Sequence, residues 1–437
     1  MEEFLKILTE QIRCVKARDG VARELSDHIL DQAQAYEQSG IEHDKAVEMA
    51  VKEMGDPVEI GVSLDRIHRP QTDWRMLLIT FVLSVVGMFV MYLVYGPSNI
   101  VTNQCIYTLI GFIIITAVYF FDYTILGQYG IMLYIASTAI FLVLRYNLPS
   151  VNGRVPALSM LTYLYVPLFA GILYRLRSGK YASFAKSIII TFFTSFFILI
   201  LTDSVVNAMN IFLINCIMII VAVNKNMFHA NKKYMNVIMA FVAFSPVVAV
   251  FLYFQVCGAT YQMERIRAFL HPYQYRTSQG YVYTRISDIL QGAELIGMGN
   301  GKDSIDTAAL ANGLIPLQLM YSYGMIVGII LLVLFIIFIM HSMKIVQCQK
   351  NQLGFMVSIS CFLTLTVNCC EGALMNIGLC PVTAIPIPFL TYGKSTVFVY
   401  SIFIGLLLSA HRYEKVFTRE EGIYKSGWRL SIKLERK

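Results

Sequence analysis

Charged residues are scarce in this sequence. Only 14% of its 437 residues are Asp, Glu, Lys or Arg, whereas 57% are hydrophobic; soluble globular proteins carry about 25% charged residues. Tryptophan is also rare, with 2 residues against 28 Phe and 26 Tyr. The shortage of charge excludes an ordinary soluble fold for most of the chain and favours a helical bundle embedded in lipid.

The sequence also lacks the patterns of metal and disulfide sites. Its nine cysteines fall mostly in apolar runs, with no CxxC or Cys/His spacing, so we interpret them as small buried apolar residues. The formal net charge of +7 comes from Lys and Arg residues that are dispersed along the chain. Dispersed positive charge does not indicate a nucleic-acid partner, and we interpret it as a membrane topology signal.

Residues 1–75 are predicted to form a small soluble helical domain. This segment lacks the apolar core and small-residue cleavage site of a secretory signal, so the first apolar span after it is expected to act as a signal anchor. The sequence Gly55-Asp56-Pro57 is a strong helix terminator. Helices are expected from Phe4 to Val15 and at about 20–38, 43–54 and 57–67.

Ten apolar runs follow this domain, each about as long as the roughly 20 residues that a bilayer-spanning helix needs. The expected fold class is therefore all-α: a polytopic membrane protein with about ten transmembrane helices, preceded by the small soluble helical domain. The membrane domain is assigned to 76–412 and a basic cytoplasmic tail to 413–437. The spans are expected at about 76–95, 104–121, 126–145, 158–176, 184–201, 206–223, 235–257, 314–341, 353–376 and 394–411.

The distribution of Lys and Arg predicts the orientation of these spans. If the first domain lies inside, the predicted inner loops carry the basic clusters, whereas the predicted outer loops 96–103 and 202–205 have no Lys or Arg. We therefore expect a multi-pass plasma-membrane protein with both termini in the cytoplasm. This topology places two segments outside, the long loop 258–313 and the proline-rich segment 378–395.

The long outer loop carries cations that suit a phosphate-bearing lipid head group. Arg265 and Arg267 are the candidate substrate-binding residues there, because a guanidinium group binds phosphate through two parallel hydrogen bonds. The alternative is a solvated loop whose acidic and basic residues pair with one another. The GMGNG turn at 297–301 lacks the strand, the helix and the Lys-Ser/Thr pair of a phosphate-binding loop.

The segment GLCPVTAIPIPFLTYGKS, residues 378–395, places three prolines between two apolar runs. Proline removes a backbone donor, and irregular backbone at membrane depth survives only when it is buried in protein or lines a wet cavity. The segment is therefore expected to form a rigid wall of an outward-facing crevice. Thr383, Pro386 and Pro388 are its candidate binding residues.

Three further residues are candidates for the same crevice. Lys394 and Ser395 open the last helix, where free backbone donors stabilise an anion; snorkelling of the lysine to the interface is the alternative. Glu371 lies near the outer end of the ninth span, and an ionisable residue at that depth rarely faces lipid. A plain interfacial position is the alternative for Glu371.

The string NIGLCPVTAIPIPFLTYGKS resembles the signature of the SEDS family (shape, elongation, division and sporulation), which includes FtsW, RodA and SpoVE. That family carries a GLLPVTGIPLPFISYGGS element before the last of ten spans. RIRAFLHP, QGYVYTR and GMGNG are similar to the family's outer loop, so the resemblance covers roughly 76–412. DKAVEMAVKEMGDPVEIG separately resembles the small helical domain that precedes some membrane permeases.

The resemblance implies a glycosyltransferase that polymerises the lipid-linked disaccharide-peptide precursor of the bacterial cell wall (lipid II) in division, elongation or sporulation. A base removes the proton of a sugar hydroxyl, which attacks an anomeric carbon while the lipid pyrophosphate leaves. The implied partners are this precursor, a class B penicillin-binding protein and membrane lipid, with no nucleic acid. No cofactor is expected; the chemistry is compatible with a divalent cation, which no motif indicates.

The sequence departs from the family pattern at the catalytic position. The family's presumed catalytic Asp lies just before the eighth span, and Gly313 falls at its place. Asp306 and Asp303 lie upstream and are the candidate replacements. The fourth span lacks the family's Ser-Glu-x-x-Lys element, and Lys394 replaces a family glycine. Three functions stay open: an active, divergent glycosyltransferase; a non-catalytic scaffold or regulator that binds the precursor or a penicillin-binding protein; and a lipid carrier.

Overall fold

A computed structural model describes residues 1–149, 155–257, 260–299, 313–383 and 387–414. Within these ranges the regular structure is helical and contains no strand, which confirms the all-α prediction. The predicted catalytic residues Asp303 and Asp306 and the predicted binding residue Pro386 lie outside the described residues. Nearly all of the predicted tail, 413–437, does so as well.

The chain divides into two compact units. The first contains Met1–Asp73, Cys348–Phe355 and the residues from Ala410 onward, and the second contains Trp74–Gln347 and Met356–Ser409. Helices in the N-terminal part of the first unit are α1 (Glu2–Glu10), α2 (Val15–Gln38), α3 (His43–Met54) and α4 (Pro57–Ile67).

These four helices enclose a small apolar core. Ile29 and Ala46 are fully buried where α2 packs on α3. The terminator in the sequence also starts the next helix, because the Asp56 carboxylate accepts a hydrogen bond from the Val58 N–H at 2.8 Å, with proline at the first position of α4. The first helix was expected to reach Val15, but α1 ends at Glu10, and Val15 is 69% exposed at the start of α2.

The membrane part is built from long apolar helices. Nine candidate spans within the described residues are long and apolar enough to cross a bilayer. The remaining predicted span, 235–257, lies in a further 26-residue helix, Lys232–Cys257. The polytopic helical fold predicted from the sequence is thereby confirmed. The first seven predicted spans correspond to α5 (Trp74–Tyr95), α6 (Asn99–Phe120), α7 (Thr124–Asn147), α8 with α9 (Pro156–Leu161 and Tyr165–Leu176), α10 (Tyr181–Thr202), α11 (Val205–Asn224) and α12 (Lys232–Cys257).

The C-terminal half begins with shorter helices. The predicted outer loop contains α13 (Thr260–Leu270), a 3-10 turn (Pro272–Tyr275) and α14 (Tyr281–Gly292). These are followed by α15 (Ile315–Tyr323) and the last three spans, α16 (Met325–Cys348), α17 (Gln352–Asn376) and α18 (Lys394–Arg412).

The fourth span has the largest buried share among the nine candidate spans. It is interrupted by a 3-10 turn at Thr162–Leu164 between α8 and α9, and 78% of its most apolar window is buried. It packs against α7, α10 and α11. Its tyrosines Tyr163, Tyr165 and Tyr174 are fully buried, so this span forms the centre of the bundle.

The eighth predicted span, 314–341, is wrong in its boundaries. Gly324, with φ of +101°, separates α15 from α16. A Cβ at this position would lie 2.7 Å from the carbonyl oxygen of Leu295. The Met325 N–H donates to the Glu294 carbonyl at 2.9 Å and the Gly299 N–H to the Tyr321 carbonyl at 2.9 Å. Residues 294–299 of the predicted outer loop are therefore hydrogen-bonded to the backbone on both sides of the break at Gly324. The hydropathy of the sequence does not reveal this break.

Candidate functional site

The predicted outer-loop cations lie on α13. Arg265 and Arg267 are both exposed there. Elsewhere in the loop, Arg276 donates to the Asp288 carboxylate at 3.4 Å. The alternative prediction, in which acidic and basic residues of the loop pair with one another, therefore holds for Arg276 and Asp288.

Tyr283 connects the outer-loop helices to the proline-rich segment. Its phenol, on α14, makes a hydrogen bond to the backbone of Val382 and lies within electrostatic range of Arg265. Burial raises the pKa of Tyr283, and both the Val382 hydrogen bond and the positive charge of Arg265 oppose that rise. The predicted phosphate-binding residue Arg265 therefore lies within electrostatic range of a side chain that contacts the segment after α17.

A cavity of about 340 Å³ lies beside these contacts. Its volume is at the lower end of the range of small-molecule pockets. The walls come from α13, α14 and the residues that end the ninth span, and they are mainly apolar and aromatic. They include Phe269, Tyr283, Ile286, Leu290, Ile377 and Gly378.

A half-buried polar cluster surrounds Glu371 near the C-terminal end of α17. The Asn210 amide of α11 donates to Glu371 Oε2 at 2.5 Å, and the Thr383 hydroxyl donates to Oε1 at 2.9 Å. The same amide lies 3.4 Å from the Tyr163 hydroxyl of the fourth span. Glu371 itself is half-buried. We call Tyr163, Asn210, Glu371 and Thr383 the carboxylate cluster.

Cys380, in the proline-rich segment, lies within electrostatic range of the carboxylate cluster. Burial, followed by the negative charge of Glu371, raises the pKa of the Cys380 thiol. Cys380 in turn interacts electrostatically with Tyr283, as Arg265 does. Electrostatic interactions thus relate Arg265 on α13 to Glu371 on α17.

The described part of the proline-rich segment is buried in protein. Pro388 and Ile387 are buried, and the Ile387 N–H donates to the Thr391 hydroxyl at 2.9 Å. A Cβ added at Gly372 would lie 2.3 Å from Ile387 Cγ1, and one at Gly87 would lie 2.1 Å from the carbonyl oxygen of Phe389. Two glycines on α17 and α5 thus admit the segment between these helices.

The start of the last helix lies apart from the carboxylate cluster. Lys394 is exposed at the first position of α18, and Ser395 is half-buried beside it. The backbone N–H of Gly393 donates to the Gln104 side chain of α6 at 3.4 Å. Within the described ranges, Glu371 makes no hydrogen bond or ion pair with Arg267, Lys394 or Ser395. Of the predicted site residues that the structure describes, Glu371 and Thr383 are in direct contact, and Arg265 lies within electrostatic range of Tyr283.

Gly313 has a defined position against α17. Its carbonyl oxygen accepts a hydrogen bond from the Asn376 amide at 3.0 Å, and Asn376 Oδ1 accepts one from the Leu317 N–H at 3.0 Å. Asn376 is 3% exposed. The position that corresponds to the family's presumed base is therefore held beside the helix that carries Glu371.

Sequence reasoning missed the residues that position the site. Asn210, Tyr163, Asn376 and Tyr283 were not singled out. One signal was present for α11, where NAMNIFLIN places three asparagines in an otherwise apolar run. Amides in a lipid-embedded helix face the bundle interior because an unpaired amide in hydrocarbon is costly.

Comparison with known proteins identifies relatives of the whole membrane unit. A family model described as "Cell cycle protein", that of FtsW, RodA and SpoVE, matches residues 72–416. "Probable peptidoglycan glycosyltransferase FtsW" of Geobacter sp. is 23% identical over 364 residues, which cover 77% of this chain and 96% of that protein. "Stage V sporulation protein E" of Bacillus subtilis (strain 168) is 26% identical over 163 residues, 37% of this chain and 44% of that protein. The chain spans about half or less of the length of most curated relatives that it matches.

Solved structures share the same fold. One matching chain comes from a structure described as "Structural coordination of polymerization and crosslinking by a peptidoglycan synthase complex". It matches with a TM-score of 0.63 at 16% identity, covering 78% of this chain and 99% of that one. Rod shape determining protein RodA of Thermus thermophilus matches with a TM-score of 0.55 at 14% identity, covering 78% and 97%. The resemblance seen in the proline-rich motif is confirmed, and the chain belongs to the FtsW/RodA/SpoVE family of cell cycle proteins, the SEDS family.

Proposed function

We propose that this protein is a SEDS-type peptidoglycan glycosyltransferase that polymerises a lipid-linked disaccharide-peptide precursor. The observation that carries the proposal is the family match across residues 72–416. Relatives described as peptidoglycan glycosyltransferases also support it. The protein would act in the bacterial plasma membrane with both termini in the cytoplasm and the outer-loop helices outside. The absence of Lys and Arg from the two short predicted outer loops, 96–103 and 202–205, supports this orientation.

The reaction divides into two electrostatic tasks. The attacking sugar hydroxyl must lose its proton as its oxygen bonds to the anomeric carbon of a second precursor, and the bond from that carbon to the lipid pyrophosphate must break. A positioned base typically accelerates such a step by about 10²–10⁴-fold. Cations stabilise the charge that develops on the leaving pyrophosphate.

The described residues offer groups for binding the leaving pyrophosphate and the rest of the head group. Arg265 is exposed on α13 and lies within electrostatic range of the Tyr283 phenol, and its guanidinium would bind a phosphate of the precursor. The cavity beside Tyr283 offers an apolar and aromatic surface for the rest of the head group. Thr383 and Pro388 would form the neighbouring wall. Arg267, Lys394 and Ser395 remain predicted binding residues, with Lys394 at a separate helix start.

A second candidate function rests on Gly313. Glycine cannot accept a proton, and its carbonyl is bound to Asn376. A non-catalytic scaffold that binds the precursor and a class B penicillin-binding protein would need the same fold without the base. A lipid carrier, the third function, would move the precursor without changing its chemistry.

Purified full-length protein in proteoliposomes would separate these functions. Labelled lipid-linked precursor is supplied with and without a class B penicillin-binding protein, and glycan polymer is measured on gels. Polymer that depends on the protein supports the glycosyltransferase. Binding of precursor without polymer, even with the partner present, supports the scaffold. Movement of intact precursor between leaflets without polymer supports the carrier.

The predicted bases are tested in the same assay. Asp306→Asn and Asp303→Asn should each be compared with the unaltered protein. Loss of polymer in either variant, with precursor binding retained, would assign the base to the segment before Gly313. Full activity in both variants would require a different base.

A further inference from the structure

The carboxylates described on the predicted outer side differ in their surroundings. Two of them are paired with arginine: Asp203 accepts from Arg145 at 2.7 Å, and Asp288 accepts from Arg276 at 3.4 Å. Glu371 is half-buried, and its hydrogen-bond donors within the described residues are an amide and a hydroxyl. Neutral donors orient a carboxylate without placing a positive charge beside it.

The two donors leave part of the Glu371 carboxylate available. Each carboxylate oxygen has two acceptor positions, and Asn210 and Thr383 occupy one position on each oxygen. Among the described residues, the second acceptor position of each oxygen therefore has no partner and could accept a hydrogen bond from a substrate hydroxyl. Because Asn210 comes from α11 and Thr383 from the segment after α17, the carboxylate is fixed from two sides, as a base must be.

Electrostatic interactions relate Glu371 to the predicted phosphate-binding group. The charge of Glu371 raises the pKa of the Cys380 thiol, and Cys380 and Arg265 both influence the pKa of the Tyr283 phenol. The Tyr283 phenol is hydrogen-bonded to the backbone of Val382, the neighbour of Thr383. A precursor whose phosphates contact Arg265 would extend its sugars past Tyr283 toward the carboxylate cluster.

We propose that Glu371 is the general base of this divergent enzyme, with Asn210 and Thr383 as positioning residues, an inference that rests on the proposed glycosyltransferase function. A Glu371 oxygen accepts the proton of the attacking sugar hydroxyl. The hydroxyl oxygen forms the bond to the anomeric carbon, and the electrons of the breaking carbon–oxygen bond leave with the lipid pyrophosphate. The proton is released to solvent after the product departs. Glu371 thus supplies the carboxylate that Gly313 lacks.

The test measures polymerisation and precursor binding with the full-length protein in proteoliposomes. Glu371→Gln keeps the shape of the side chain and its contacts with Asn210 and Thr383 but cannot accept the proton. We expect its polymerisation rate to fall about 10²–10⁴-fold, with precursor affinity unchanged. Glu264→Gln is the matched control, since Glu264 is an exposed carboxylate on α13, and it should retain the full rate.

The positioning role has its own readout. Thr383→Val should lower kcat while leaving KM nearly unchanged, and Thr383→Ser, which keeps the hydroxyl, should restore most of the rate. A purely structural role for Thr383 would instead reduce the folded yield of Thr383→Val and leave kcat of the folded protein unchanged.

The outcomes separate this inference from the proposed function. Polymer from the unaltered protein together with full activity in Glu371→Gln would overturn the assignment of Glu371 alone. A rate loss in Glu371→Gln that is matched by lost precursor binding would overturn it as well. Absence of polymer from the unaltered protein with its partner would overturn the glycosyltransferase function and the base together.

Discussion

Replacing Asn376 by leucine should destabilise the helix that follows Gly313. Asn376 Oδ1 accepts from the Leu317 N–H at 3.0 Å, and its amide donates to the Gly313 carbonyl at 3.0 Å. Leu317 is in the first turn of α15, whose own N-cap, Leu314, offers no side-chain acceptor. Asn376 therefore caps α15 from another helix, because the first N–H groups of a helix have no partner within it.

The magnitude follows from the two backbone groups that lose their partners. Each buried group left without a hydrogen bond costs about 1–3 kcal/mol, so Asn376→Leu should lower stability by about 2–6 kcal/mol. The third contact, from Asn376 to the Gly372 carbonyl at 2.8 Å, adds little, since a carbonyl inside a helix already accepts from the backbone. The apolar leucine recovers no hydrogen bond.

Thermal unfolding in detergent and hydrogen exchange of α15 test this reasoning. Asn147→Leu is the control, because Asn147 is exposed and donates a single bond to the Val143 carbonyl at 2.7 Å; it should change stability by no more than about 0.5 kcal/mol. Asn376→Leu should unfold at a lower temperature and exchange faster in α15. Equal behaviour of the two variants would refute the capping argument, as would destabilisation with unchanged exchange in α15.

Two other measurements probe the packing and charge around the site. Gly87→Ala places a Cβ 2.1 Å from the Phe389 carbonyl oxygen and should lower the free energy of unfolding by about 1–3 kcal/mol, as measured by thermal unfolding. The control Gly292→Ala, whose Cβ would have no atom within 4 Å, should change this free energy little. Equal stability of the two variants would contradict the close approach at Gly87. Burial and then the charge of Glu371 raise the pKa of Cys380, so its thiolate fraction is reduced at neutral pH and alkylation is slow. Glu371→Gln removes one cause, lowers that pKa and should speed iodoacetamide labelling of Cys380 at pH 8, as followed by peptide mass spectrometry; an unchanged rate would show that the charge does not reach the thiol.

The sequence was sufficient for the helical fold class and the membrane spans, but not for the helices of the outer loop or for the interruptions of the spans. Apolar runs of bilayer length predict spans because every backbone polar group in lipid must be bonded within its own helix. The breaks at Thr162–Leu164 and Gly324 lie inside such runs. Hydropathy averages over them, and only the contacts of the Leu295 and Glu294 carbonyls with the chain near Gly324 explain why the helix stops there.

The site was predictable only where its residues are close in sequence. Glu371 and Thr383 belong to the proline-rich motif and its flank, and the structure joins them directly. Asn210 is separated from Glu371 by 161 positions, and no local pattern indicates that pairing. Asn376 was missed for the same reason, because its partners near Gly313 lie across the whole of α16.

The two glycine contacts of the proline-rich segment have a mechanical consequence. Ile387 rests on Gly372 of α17, and Phe389 rests on Gly87 of α5, with contacts too close for any larger residue. A force applied to the segment is transmitted to both helices at once, because no compressible side chain separates them. A ligand that displaces this segment would therefore displace α5 and α17 together.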